Sequence, residues 1–246
     1  MQEVQYFLSF ILYIGLLINL AWITIFLLWK TRIRSKAKGK IDGYLLFISL
    51  FFCFVLIGSI VRLFYMYIYT LGDINMFFDA FFNPAYRDSH PIYAKLVIIY
   101  GLLVMYSVGC ITFAVEHYVY QKTRHILSIA TVIYLSILSP LVLILPYDHS
   151  ITLMVVNFPF ILAGITIIFV IGIYVKVALS SSGIRRKKAL YLILGFLLFF
   201  GGLALNSQIL IIALGLFNIN NVWAVALVFN IASVILFYGS YVKQPD

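Results

Sequence analysis

Seven long apolar runs divide the chain, separated by short polar stretches. They cover residues 6–29, 43–70, 92–119, 126–146, 151–176, 189–214 and 222–241. A helix rises 1.5 Å per residue, so about 20 residues cross a hydrocarbon core about 30 Å thick. Inside lipid the backbone must satisfy its own hydrogen bonds, which leaves helices or closed barrels. The runs are too long and too continuously apolar for barrel strands, which alternate apolar and polar residues. The pattern predicts an all-α fold: a polytopic membrane protein with a bundle of seven transmembrane helices, one domain over residues 1–246. The opening MQEVQ is slightly acidic and the run 6–29 is longer than a signal-peptide core, so the first run reads as a span.

Charge orients this bundle. Fourteen of the 17 Lys and Arg fall in alternate connections: residues 30–40, Lys122 with Arg124, Lys176 with Arg185–Lys188, and Lys243 in the tail. Cytoplasmic loops carry such an excess, so the N-terminus is expected outside and the C-terminus inside, in the cell membrane of a prokaryote. Composition agrees, with 64% hydrophobic and 10% charged residues; a soluble domain carries about 25% charged residues. The net charge of +9 is carried by loops. It points to anionic lipid or a cytoplasmic signalling partner at the basic loops, and not to nucleic acid.

Motifs for catalysis are missing: the sequence has no HExxH, GxSxG or Walker loop. Cys53 and Cys110 lie within apolar runs and form no CxxC pair. His90 and His149, beside Asp88 and Asp148, lack zinc-ligand spacing. The last run has no Lys for a retinal Schiff base. A non-enzymatic protein without metal or cofactor is expected. Glu116, at the end of the third run, is expected to pair with Lys122 or Arg124.

The candidate chemistry lies inside the spans. Arg62 falls eight positions before the outer end of the second run, about 12 Å deep. A charge there is costly and faces protein or a water-filled cavity. Ser59, Tyr65 and Tyr69 share its helical face, and Asp73 or Asp79 in the long second connection are candidate partners. Ser139, Asn157, Asn206 and Asn230 come from four other runs and lie at a similar depth. Together with Arg62 and Tyr65 they predict a polar, ligand-binding cavity open to the outside. The competing expectation is plain hydrogen bonding between helices, worth about 0.6–2 kcal/mol per contact. Gly195, Gly201 and Gly202 predict a close helix approach. The second connection, residues 71–91, carries Phe77, Phe78, Phe81 and Phe82, a pattern suited to a short helix on the bilayer face.

The stretch Ser182–Gly195, SGIRRKKALYLILG, resembles the loop and following helix of the seven-helix sensor modules at the N-termini of some bacterial and archaeal histidine kinases. The resemblance covers the seven-span plan and this stretch, and it implies a sensor working through a separate partner. The resulting expectation is a receptor-like module with an outer ligand cavity. A small-solute transporter is the alternative, although the inner halves of several runs are apolar and the prolines and PQ motif of small sugar transporters are missing. A structural subunit of a membrane complex is the third reading.

Overall fold

A computed structural model describes residues 2–68, 89–123, 125–144, 149–205 and 219–243. The described chain is helical and holds seven α-helices: α1 (Gln2–Lys38), α2 (Gly43–Leu63), α3 (Pro91–Tyr118), α4 (Ile126–Ile144), α5 (His149–Ser180), α6 (Gly183–Leu205) and α7 (Ile219–Tyr238). Single π-turns, Phe64–Ile68 and Gly239–Lys243, extend α2 and α7. Among the described residues three segments are long and apolar enough to cross a membrane: Phe10–Lys38, Gly43–Tyr67 and Pro91–Tyr118. The chain is therefore a helical membrane protein. Residues 71–88 of the second connection, with its four phenylalanines, Asp73 and Asp79, lie outside the described residues, as does Tyr69.

The chain forms two compact units, Arg34–Ile167 and Met1–Ile33 with Ile168–Asp246. In the first, α2 packs along α3. Its buried stripe runs Leu45, Ile48, Phe52, Val55, Ser59, Arg62 and Met66. These residues recur every three and four positions, the period that keeps one seam facing a neighbouring helix. On α3, Tyr100 and Leu103 lie against Gly58, and the ring pairs Phe47–Phe113 and Phe54–Tyr106 join the two helices. Lipid tails are as apolar as leucine, so such a seam is held by close packing rather than by escape from water. Small residues permit the closeness. The Tyr118 hydroxyl lies directly over Gly43, and Thr131 of α4 meets Gly109, where an added Cβ would sit 3.1 Å from its methyl.

Asp42 starts α2. Its carboxylate accepts the Leu45 N–H at 3.3 Å and the Lys38 ammonium at 2.6 Å, and Arg34 lies 3.9 Å away. The Asp42 N–H donates to Ser35 Oγ at 3.0 Å. Burial by itself would raise the Asp42 pKa. The Lys38 and Leu45 hydrogen bonds and the charges of Lys38 and Arg34 outweigh it and hold the carboxyl below its ordinary 3.8.

In the second unit α6 packs on α7. A Cβ on Gly195 would lie 2.9 Å from the Phe237 ring. One on Gly202 would meet Asn230 Oδ1 and, at 2.8 Å, the Ala226 carbonyl. Both glycines are thus helix-contact residues, whereas a Cβ on Gly201 would lie an ordinary 3.9 Å from Phe229. Near the end of α7, Phe26 of α1 meets Tyr238 edge-on, and Lys30 Nζ donates to the Tyr241 carbonyl at 2.6 Å. Ser240 Oγ donates to the Lys188 carbonyl of α6 at 3.4 Å.

Candidate functional site on the α2–α3 seam

Arg62 occupies the buried stripe of α2, and only 8% of it is exposed. Its Nε donates to Met66 Sδ at 2.9 Å, one turn further on. Its guanidinium carbon stands 5.7 Å from the centre of the Tyr100 ring of α3. Tyr65 places its ring edge-on to Tyr100, 6.0 Å away, and to Tyr93, 5.7 Å away. The π-turn that begins at Phe64 carries Tyr65, Met66 and Tyr67, all buried. Such wide turns inside helices are frequent at functional sites. A cation over an aromatic face gains about 0.5–2 kcal/mol, more when water is excluded. The Tyr100 face and the Met66 sulfur both carry partial negative charge without a formal charge. The site is thus an aromatic cradle around one guanidinium, whose planar array of N–H donors suits carboxylate or phosphate.

The other predicted cavity residues divide. Ser139 of α4 bonds Tyr106 of α3, hydroxyl to hydroxyl, at 3.0 Å. That contact lies in the same unit as Arg62, further along α3 than Tyr100. Asn157 lies on α5, with its side-chain surroundings outside the described residues, and Asn206 is itself outside them. Asn230 belongs to the other unit. It is 3% exposed, its Oδ1 has no hydrogen-bond partner among the described residues, and it fills the notch left by Gly202.

The turn from α3 to α4 differs from expectation. Glu116 is fully buried and, among the described residues, forms no ion pair with Lys122, while Arg124 lies outside the described residues. Its Oε1 accepts the Leu127 N–H at 3.3 Å, and its Oε2 accepts the Ser128 N–H at 2.9 Å together with the Ser128 hydroxyl. These are the first amides of α4, which no earlier helical carbonyl can satisfy. A carboxylate there also meets the positive end of the α4 dipole. The same turn brings His117 Nδ1 within 3.5 Å of His125 Nε2, with Phe113 stacked on both rings. His125 takes a left-handed backbone, φ 61°. Sequence spacing gave no sign of this cap: Glu116 lies on one helix, its partners begin the next, and the turn geometry joins them.

Among the described residues no cluster of three or more His, Cys, Asp or Glu is arranged to hold a metal ion, and Cys53 and Cys110 are free thiols. Compared with known proteins, no family model, curated protein or solved structure matches this chain.

Proposed function

We propose that this chain is a seven-span cell-membrane protein, N-terminus outside and C-terminus inside, that acts as a non-enzymatic, receptor-like sensor. The burial of Arg62 in the aromatic cradle of α2 and α3 carries this reading. An ionisable residue within a membrane-crossing helix marks a functional site by default, because a cheaper apolar residue would pack as well. The ligand is a small anion or a molecule with a carboxylate or phosphate. It acts by binding one arrangement of the helices better than another, and the signal passes to a partner at the basic loops. The resemblance of Ser182–Gly195 to kinase sensor modules supports the same class.

The test is a thermal-shift screen of purified protein against small anionic metabolites. A ligand present at about 100 times its dissociation constant stabilises the folded form by about 2.7 kcal/mol. Arg62→Ala abolishes that stabilisation, and Arg62→Lys retains part of it. A ligand that binds folded Arg62→Ala unchanged removes Arg62 from the site. Net flux of the ligand in vesicles replaces the sensor with the transporter.

A further inference from the structure

The fold treats its two longest basic stretches differently. Between α1 and α2, Asp42 takes up Lys38 and Arg34. The turn from α5 to α6 has no such residue. No Asp or Glu occurs from residue 149 to residue 245. The unit containing this turn has Glu3 and Asp246 as its acids, at the two ends of the chain. Arg185, Arg186 and Lys187 are exposed. Among the described residues no carboxylate pairs with them, and Lys187 stands 5.9 Å from the centre of its own helix's Tyr191 ring.

This charge is placed against local preference. Arg185 and Arg186 sit in the first turn of α6, which has no acidic residue, and cations there oppose the helix dipole. Beside them, apolar side chains face outward: Leu179 is 81% exposed and Ile184 53% exposed. Both helices joined by this turn are strongly apolar away from it, so the turn lies at the edge of the hydrocarbon. Exposed cations next to exposed aliphatic groups suit the boundary between headgroups and acyl chains. The turn is fastened from behind, where the Lys188 carbonyl accepts Ser240 Oγ at 3.4 Å.

We propose that the α5–α6 turn, from Leu179 to Lys187, is a docking surface for anionic phospholipid headgroups of the surrounding bilayer. Arg185 and Arg186 grip phosphate oxygens through their forked N–H groups, and Lys187 adds a point charge. Leu179 and Ile184 enter the acyl boundary. The surface supplies from outside the counter-charge that Asp42 supplies from within at the other basic connection. It is independent of the Arg62 reading.

The experiment uses the full chain in vesicles of phosphatidylcholine doped with spin-labelled phosphatidylglycerol or spin-labelled phosphatidylcholine. Electron paramagnetic resonance reads the fraction of each lipid held at the protein. Wild type is expected to prefer phosphatidylglycerol, less so at high salt. Replacing Arg185, Arg186 and Lys187 together by Gln should reduce that preference by about fivefold or more, fivefold being the worth of one basic residue near an anionic surface. Because Arg185 and Arg186 are exposed, Arg185→Gln and Arg186→Gln singly leave the fold intact and should each lower it in part. The combined replacement of Arg32, Lys36 and Lys40 by Gln removes equal charge elsewhere and should lower it less. No preference in wild type, no change in the three-site or single variants, or an equal loss in the control overturns the proposal. So does displacement of the labelled lipid by inorganic phosphate at matched ionic strength, which would make the turn a free-anion pocket.

Discussion

Removing the Glu116 carboxylate should loosen the start of α4. In Glu116→Ala the Ser128 and Leu127 amides and the Ser128 hydroxyl all lose their acceptor, at a position fully closed to solvent. Losing an N-terminal cap costs about 0.5–2 kcal/mol. Hydrogen bonds to a charged group are worth about 1.5–3 kcal/mol, and a buried orphaned donor costs about 1–3 kcal/mol. These terms overlap, since all three donors face one carboxylate, and a net loss of about 2–4 kcal/mol is expected. Glu116→Gln should cost less. Its one carbonyl oxygen can still accept from Ser128, while its NH2 faces the Leu127 N–H, donor against donor. Two readouts apply: thermal unfolding in detergent, and amide exchange followed by mass spectrometry over residues 126–130. Faster exchange should appear at Leu127 and Ser128 before it appears in α2. Ser128→Ala should be strongly non-additive with Glu116→Ala, because the two remove one shared interaction. Unchanged unfolding and unchanged exchange in Glu116→Ala, or additive effects in the pair, would refute the cap.

Other substitutions probe the two units separately. Asp42→Ala should destabilise by about 0.5–2 kcal/mol as a lost helix cap, seen as a lower unfolding temperature. The folded-state pKa of Asp42 is lowered, so its stabilisation is complete above about pH 4, near the unfolded value, and fades as pH falls through the lower folded value; Asp42→Asn should flatten that acid limb of a stability–pH curve. Gly202→Ala should cost about 1–3 kcal/mol through overpacking against Asn230 and the Ala226 carbonyl, while Gly201→Ala, with ordinary clearance, should be neutral or mildly stabilising; equal unfolding temperatures for the two would contradict the α6–α7 contact. Tyr106→Phe should lose about 0.6 kcal/mol with its bond to Ser139, a small fall measurable by the same unfolding assay.

Helix positions were the most legible feature. The described part of each apolar run falls on a helix, and the runs start within a few residues of the seven described helices, except α1 and α6, where polar ends extend the helix beyond the apolar run. The basic residues 32–38 continue α1, because Lys and Arg are good helix formers and need no lipid to remain helical. The glycines of α6 read correctly as contact points at Gly195 and Gly202. Among the described residues Glu116 pairs with the first amides of α4 and not with Lys122, because the amides of a helix whose start is buried have no water to turn to; Arg124, the other expected partner, lies outside the described residues. Arg62 stood out in the sequence as a charge in an apolar run, but its Met66 and Tyr100 partners did not. Tyr100 lies on a different helix, and its approach depends on how α2 and α3 are rotated about their axes.

By itself, then, the sequence determined the solvent and the secondary structure. Continuous apolar runs of bilayer length leave a backbone no alternative to helix, and that constraint acts on each run alone. It also determined where most of the charge gathers, since Lys and Arg deep within a run are costly, and Arg62 is the exception buried there. Tertiary structure decided which polar groups meet: Arg62 with Tyr100, Glu116 with Ser128, Ser139 with Tyr106, and Asn230 with the notch at Gly202. A helix that is apolar all round has little periodic signal to say which face turns inward. Its rotation is settled by packing and by the few polar side chains that find partners on the next helix.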